Sequence, residues 1–596
     1  MKILNNISNI EKNIGNYIRR ALLGDLLSNL NFFESGCKQR KVDYVEWIKC
    51  ELVNIVNEFV KKNKLAKAPF FSRVNRAFKT ERFEIFLKKW LFEYFNKLFG
   101  ILDNFANDRV KPGTNLELED NPLNRFGVEK YFSKFGIDTL IKWRRQTNLS
   151  IRILGIFLTK LIVLFFSFNR GFRISGKRKE YKVMREALWG LYDYDGLYFH
   201  DDFLVDGEKI KKEDLLLFSR SLPKDGARLK AYHDARRSPY AHFNLQLLPL
   251  GIGAFIFRVV PNYIFLAARA LLGSIGSDNY SLFLSLYLYF IVRALPYEKV
   301  FSCFNIKAEM GHMYSSPSSV AEAIVCHSHG AKYYLMHWSD LSKTAYEEGV
   351  SFLGCDKYFL WGKAHIKGIE GTKEIFELIG YPFKAFVEKI KFNRREVLSL
   401  MGINTEGKVV TFFDESFGGE TKIKEEYFVN IWKIALRFCL ENKDITVIMK
   451  PKDINRYKNL SENFKKRFLD IKSEMEKLPN MYIIDTEKGR WCFIEAIGVS
   501  DVVITQYMGS SATIAIVCGV EGLYFDEAGY DHPFRRRFKD KIVFDDQNKL
   551  LDMVSGIIRG KESTLRDIPY SVLRDYDSYD DDRGIDRLRE ILLCEN

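Results

Sequence analysis

The chain has 596 residues, 47% of them hydrophobic and 15% aromatic, and 91 Lys and Arg against 77 Asp and Glu give a formal charge of +14. This composition excludes disorder and any collagen-like or low-complexity class, and the length suits about three to four domains, each large enough to bury a core. The basic balance fits an anionic membrane surface or nucleic acid, and charge alone does not choose between them.

Nine cysteines without a Cys-x-x-Cys pair point to a reducing compartment, not to a disulfide framework or zinc ribbon. The opening MKILNNISNIEKNIGNYIRR lacks the uninterrupted apolar run of an export signal, so a cytoplasmic location is expected.

KVDYVEWIKCELVNIVNEFVKKN and RFEIFLKKWLFEYFNKLFGILDNF repeat apolar residues at three- and four-residue spacing, which predicts amphipathic helices. They read as a helical extension over residues 1–175, either packed on the rest of the chain or resting on a membrane surface through the Phe, Trp and Leu side of the second helix. The most apolar run, Ile151 to Phe168, is interrupted by Lys160 and flanked by Arg152 and Arg170, which suits an interfacial or buried helix better than a span. A second apolar region, Leu245 to Leu295, is broken by Pro249, Arg258, Pro261 and Arg269 and reads as packed helices.

From about Tyr297 short apolar runs alternate with helical segments, the pattern of a parallel α/β sheet. Expected strands are KVFSCFN, KYYLMHW, KYFLWG, KVVTFFD, ITVIMK, MYIID, DVVIT and GLYFD. They divide into two doubly wound units, over residues 176–384 and 385–596, with a join at the GYPF turn and one helix running on through KAFVEKIKFNRREVLSLMG. Ligands of such sheets bind beyond the carboxyl ends of the strands.

Four strand ends carry candidate chemistry. After DVVIT, Gly509, Ser510 and Ser511 stand where a helix begins, and the unpaired N–H groups of a first helical turn suit a phosphate; serine capping is the plainer alternative. After ITVIMK, Lys450 and Lys452 flank Pro451 and offer point charges to a phosphate leaving group. After KVVTFF, Asp414 and Glu415 precede a turn with Gly418 and Gly419, and alternation along a strand sends the two carboxylates to opposite sides. His337 and Asp340 follow KYYLM, where a histidine can act as acid or base. His327 and His329 read as helix-end residues more than as a metal pair, and no metalloprotease, P-loop or dinucleotide motif falls at a strand-to-helix junction.

The series MHWSD, CDKYFLWGKAH, IFELIGYPF, VIMKPKD and DVVITQYMGSSATIAIVCGVEGLYFD resembles GT-B fold glycosyltransferases that build bacterial surface polysaccharides. Kdo and sialic acid transferases and the related CDP-glycerol glycerophosphotransferases are the nearest in pattern, over roughly Tyr297 to Asp526. The resemblance implies an α/β protein of two Rossmann-like domains with a mainly helical N-terminal extension. His337 matches the first-domain histidine, Gly380 and Pro382 the interdomain turn, Lys450 and Pro451 a Lys-Pro-His-Pro-like segment, and Ser510 and Ser511 the serine pair. Trp338 stands where that family usually has glycine, and Lys452 and Asp453 replace His-Pro.

The expectation that follows is a glycosyltransferase with no metal and no cofactor, held at the inner membrane face. Its partners are a nucleotide-sugar donor, CMP-linked acidic sugars favoured, a glycan or lipid-linked acceptor and an anionic membrane surface, and not nucleic acid. His337, Asp340 and Glu415 are the expected catalytic residues, and Lys450, Lys452, Gly509, Ser510, Ser511 and Thr513 the donor-binding set. A CDP-linked polyol phosphate transferase on the same fold and a non-catalytic glycan- or nucleotide-binding scaffold are the alternatives.

Overall fold

In the computed structural model, residues 42–63, 69–107, 116–119, 122–135, 141–144, 178–186, 203–219, 241–244, 259–262, 264–265 and 279–594 are described, the last range without 312–315, 338, 341–351, 367–374, 418–423, 453, 485–492 and 531. The apolar run Ile151 to Phe168, the Gly418–Gly419 turn, Trp338 and Asp453 therefore lie outside the described residues.

Four helices open the described chain: α1 (Val42–Lys62), α2 (Pro69–Ala77), α3 (Phe83–Asn107) and α4 (Pro122–Phe135), with a parallel strand pair, β1 (Leu116–Glu119) and β2 (Ile141–Arg144). Along α3 the residues Phe83, Phe86, Leu87, Trp90, Leu91, Phe95 and Leu98 are buried, as the three- and four-residue spacing predicts. Their cover is protein. Phe83 and Phe78 meet Phe290 edge-on at centroid distances of 5.3 and 4.9 Å, and Phe70 meets Tyr287 at 5.6 Å. Phe290 and Tyr287 belong to α5 (Asn279–Cys303). The apolar stripe that suggested a membrane surface is thus covered by α5 at its start and, at Phe95, by Phe59 of α1 and Phe126 of α4, and its buried residues join one continuous core with those of the first sheet. Among the described residues, no helix is long and apolar enough to cross a membrane.

The first sheet has seven parallel strands: β3 (Lys179–Glu186), β4 (Leu215–Ser219), β5 (Ala241–Asn244), β6 (Phe304–Gly311), β7 (Lys332–Met336), β8 (Lys357–Leu360) and β9 (Phe376–Leu378). Their spatial order is β5-β4-β3-β6-β7-β8-β9. Strands are added outward on one side of β3 and then on the other, which is the doubly wound order with one extra edge strand. Helix α6 (Pro317–Ser328) connects β6 to β7. One expected strand is corrected: Lys299 to Cys303 of KVFSCFN is the last turn of α5, and the strand starts at Phe304. Tyr297, Val300 and Phe301 are buried at helical spacing, and the Ser302 hydroxyl donates back to the Glu298 carbonyl, so the helix outcompetes the β-rich composition there.

His327 and His329 sit at the end of α6 and bond separate carboxylates, Asp356 at 2.7 Å and Glu298 at 2.9 Å. Asp356 also accepts from Arg82, at the entrance of α3, at 2.9 Å and from the Tyr333 amide at 2.8 Å, so it ties the N-terminal helices to the sheet. Burial by itself raises its pKa; the bond and charge of His327, then Arg82, outweigh burial and hold the carboxyl at about 2. A carboxyl held below its unfolded value stabilises above pH ~4 and loses that contribution as pH falls toward 2, here roughly 2 kcal/mol. Asp356→Asn should therefore lower the urea midpoint at pH 7, with the gap to the unsubstituted chain closing between pH 4 and 2. A gap constant with pH would refute the charge role.

Gly380, with φ of +81°, turns the chain out of the first sheet. The single helix expected after it is two, α7 (Lys384–Phe392) and α8 (Arg394–Leu400), broken at Asn393, whose φ of −102° and ψ of 26° leave the helical region. The second sheet follows with β10 (Val409–Phe413), helix α9 (Glu425–Glu441), β11 (Thr446–Lys450), helix α10 (Glu462–Met475), β12 (Met481–Ile483), helix α11 (Phe493–Gly498) and β13 (Val502–Gln506). Helix α12 (Ser510–Val517), β14 (Glu521–Phe525), helix α13 (Pro533–Phe538) and β15 (Val543–Phe544) complete it. The spatial order β12-β11-β10-β13-β14-β15, all parallel, is the Rossmann order. The expected α/β architecture of two Rossmann-like sheets is borne out.

Beyond α14 (Gln547–Ile558) and α15 (Thr564–Asp567), helices α16 (Tyr570–Tyr576) and α17 (Gly584–Cys594) return to the first sheet. Asp577 accepts from the Tyr381 amide at 3.2 Å, the Ser578 amide donates to the Trp361 carbonyl at 3.0 Å, and Arg589 donates to the carbonyls of Phe203 and Leu204 at 2.8 and 3.0 Å. The chain therefore passes between the two sheets twice.

Candidate functional site

Strand β7 ends at Met336 and delivers His337, whose amide bonds the Phe359 carbonyl at 3.0 Å and whose carbonyl accepts from the Trp361 indole at 2.8 Å. Both backbone ends of the histidine are thereby fixed. Its ring lies 5.2 Å from that of Trp361 and 5.1 Å from that of His365, and it is 0% exposed. Neither ring nitrogen meets a hydrogen-bonding partner among the described residues. Burial first, and the charge of a protonated His365 second, hold His337 well below the usual imidazole range despite Asp340, so it is neutral. A neutral imidazole with an unoccupied lone pair is able to accept a proton.

Asp340 is buried at the meeting of the two sheets. Its amide donates to Ser510 Oγ at 3.0 Å, and Ser510 Oγ also lies 2.5 Å from Ser339 Oγ. Thr513 Oγ1 donates to Asp340 Oδ2 at 2.5 Å and is 2.7 Å from the Tyr524 hydroxyl. Because the Thr513 proton goes to the carboxylate, Tyr524 donates to Thr513. Two further histidines flank the carboxylate: His365 Nδ1 is 3.8 Å from Oδ1, and His532 Nε2 is 3.6 Å from Oδ2. Burial lowers the His365 pKa more than Asp340 raises it. His532 caps α13, its Nδ1 accepting from the Phe534 amide at 3.1 Å, which assigns its ring proton to Nε2 on the side of Asp340.

The serine turn is built as the sequence predicts, with β13 running into Gly509 at the N-cap of α12. Gly509 has ordinary φ and ψ of −65° and 152°, so it is needed for space: a Cβ there would run into Thr505 Cγ2 and stand 3.7 Å from Glu415 Oε2. The residue that does adopt the left-handed region is Tyr507, at φ of 60°. Serine capping within α12 is not what holds Ser510, since its hydroxyl crosses to Ser339 and Asp340; Ser511 is half-buried next to it.

Asp414 and Glu415 do not diverge as alternation predicts. Strand β10 stops at Phe413, so both carboxylates turn to Lys452: Asp414 Oδ1 accepts from its amide at 2.6 Å, and Glu415 pairs with its ammonium. Asp414 also accepts from the Trp432 indole at 3.1 Å, and burial pushes its carboxyl up to about 7. Lys450 is buried with Nζ on the Pro451 carbonyl at 3.2 Å, whereas Lys452 is exposed, so only Lys452 projects from the rim. Glu527, after β14, is raised to about 7 by burial and bonds Asn430 at 2.6 Å.

The candidates thus fall into two groups. His337, Asp340 and Thr513 share one buried cluster with the half-buried Ser510 at its edge, and Glu415, Lys450 and Lys452 line the neighbouring strand ends with Gly509 between them. His365, His532, Ser339 and Tyr524 escape the sequence reading. The His-Pro pair before a basic run was the available sign for His532, as a capping residue ahead of proline at the first helical position.

No family model matches the sequence, and no curated protein matches it either. Among solved structures, the wall teichoic acid polymerase TagF is similar with a TM-score of 0.43 at 10% identity over 75% of this chain and 97% of that one. UDP-GlcNAc 2-epimerase from Methanocaldococcus jannaschii is similar with a TM-score of 0.41 at 11% identity over 69% and 99%. Anabaena Alr3699/HepE in complex with UDP is similar with a TM-score of 0.34 at 11% identity over 70% and 99%.

Proposed function

We propose that the chain is a glycosyltransferase that moves a sugar from a nucleotide-activated donor to a hydroxyl of a lipid-linked or growing surface glycan. One observation carries the reading: the carboxyl ends of two Rossmann-order sheets meet on a cluster that joins His337, neutral and without a hydrogen-bonding partner among the described residues, to the serine turn of the second sheet. His337 takes the proton of the acceptor hydroxyl as the new bond to the sugar forms. Ser510, Ser511 and the α12 N-terminus receive the negative charge that develops on the departing nucleotide phosphate, with Lys452 at the rim. The resemblance to Kdo and sialic acid transferases favours a CMP-linked acidic sugar as donor. The formal charge of +14 supports a place at the inner face of an anionic membrane.

A thermal-shift panel of CMP, CDP, UDP, GDP and ADP tests the donor. A ligand at about 100 times its dissociation constant adds roughly 2.7 kcal/mol of stability. One nucleotide should raise the melting temperature, and Ser510→Ala/Ser511→Ala should abolish that rise. A response to CMP supports the acidic-sugar donor, a response to CDP a polyol phosphate transferase on the same fold, and none at all removes the nucleotide reading in favour of a scaffold.

A further inference from the structure

The surround of Asp340 is braced from a third part of the chain, the C-terminal tail. The short 3₁₀ turn Lys363–Ile366 after β8 carries His365, whose Nδ1 stands 3.8 Å from Asp340 Oδ1, and His532, ahead of α13, has its Nε2 3.6 Å from Oδ2. Tyr576, the last residue of α16, touches both of these elements. Its ring meets that of His365 edge-on at 6.0 Å and that of Phe534, two residues from His532, at 4.8 Å. Tyr576 is only 3% exposed, so the ring fills the space between the turn of the first domain and the helix of the second.

Each contact leads on to the site. The Phe534 amide donates to His532 Nδ1 at 3.1 Å and the two rings stack at 5.7 Å and 7°, so Phe534 and His532 move together. On the other side the His365 ring is 5.1 Å from the rings of His337 and of Trp361. The first domain holds the tail in place through backbone: the Ser578 amide donates to the Trp361 carbonyl at 3.0 Å, and Gly362 admits the Asp575 and Tyr576 backbone where a Cβ would clash. Close-packed rings in a dense interior pass a displacement on instead of absorbing it.

We propose that Tyr576 is a positioning residue of the site: its ring is the spacer that sets how His532 of the second domain stands against Asp340 and His365 of the first, and it seals His337 from water on the side of the tail. That the sealed histidine serves a transferase rests on the proposed function; the ring contacts do not. Tyr576 acts through His365 and His532 and is not itself a catalytic group.

The titration of His337 reads the seal and needs no substrate. Burial is the first cause that holds this imidazole below 6.5 and the charge of His365 the second, against Asp340. Tyr358 is a further titratable ring beside it, at 6.4 Å, while His532 and Tyr524 reach it through Asp340 and Thr513. The full-length chain, isotopically labelled at histidine, is followed by NMR through the acid range, and the His337 signal is the one that His337→Asn removes. Tyr576→Phe keeps the ring and should leave the titration in place. Tyr576→Leu and, independently, Phe534→Leu loosen the packing and admit water, so in both the His337 midpoint should rise toward 6.5. If it rises and no nucleotide stabilises the unsubstituted chain, the positioning role stands and the nucleotide-donor reading falls. If a nucleotide binds and both leucine variants titrate as the unsubstituted chain does, Tyr576 is packing alone: the proposal is overturned and the donor reading stands. A rise in Tyr576→Phe as large as that in Tyr576→Leu overturns it as well, since the ring would then not be the spacer. Should one leucine variant fail to fold, the other decides.

Discussion

Gly362→Ala should release the C-terminal helices from the first sheet. A Cβ at this position would press on the Asp575 carbonyl oxygen and stand 2.7 and 2.8 Å from the carbonyl carbon and oxygen of Tyr576. All three atoms are backbone, and backbone cannot rotate aside as a side chain does. Overpacking of this kind costs about 3 kcal/mol where nothing yields. The bond from the Ser578 amide to the Trp361 carbonyl sits next to the clash, and the Tyr576 ring packs on His365 at 6.0 Å, so the damage spreads to the candidate site. The expected result is a lower urea midpoint together with rapid proteolysis between α14 and α17. An unchanged midpoint would show that the tail is not anchored there.

His337→Asn should lower kcat by about 10²- to 10⁴-fold, the usual worth of a general base, while leaving nucleotide binding within about twofold. Its pH dependence is the stricter check. A base must be unprotonated, and His337 is held well below 6.5 by burial and His365; kcat/KM should therefore stay level through pH 6.5 and fall only at lower pH. The same shift destabilises the fold in acid. The unfolded chain takes up this proton near pH 6.5 and the folded chain does not, so stability is full above pH ~6.5 and declines as pH falls toward the folded value. An activity limb centred at or above pH 6.5 would exclude His337 as the base.

The second sheet was legible because its strands are short apolar runs closed by Pro451, by Gly509 or by charge, each signal lying within ten residues of its strand. The first sheet was half hidden. Its first strand in the chain, EYKVMRE, reads as a charged segment, and it becomes a strand through pairing with β6, more than a hundred residues later. Pairing of that range leaves no local mark. The candidate site shows the same division. Single positions such as His337 and Ser510 stood out at strand ends, whereas the surround of Asp340 draws on residues 365, 510, 513 and 532, brought together only when the two sheets face each other. The misreading of Asp414 and Glu415 has a simpler cause, since alternation of side chains ends where the strand does.

The shared aromatic seam between α3 and α5 also sets the timetable of synthesis. Phe83 leaves the ribosome about two hundred residues ahead of Phe290, the ring that covers it. At roughly 5–20 residues per second this delay is about 10–40 s, long against the microseconds in which α3 forms. Throughout that interval the part of the phenylalanine face that α5 covers in the finished fold, at Phe83 and Phe86, stays open, so the aggregation-prone moment comes in mid-translation, before the second sheet is made, and slower elongation between the two helices lengthens the exposure in proportion.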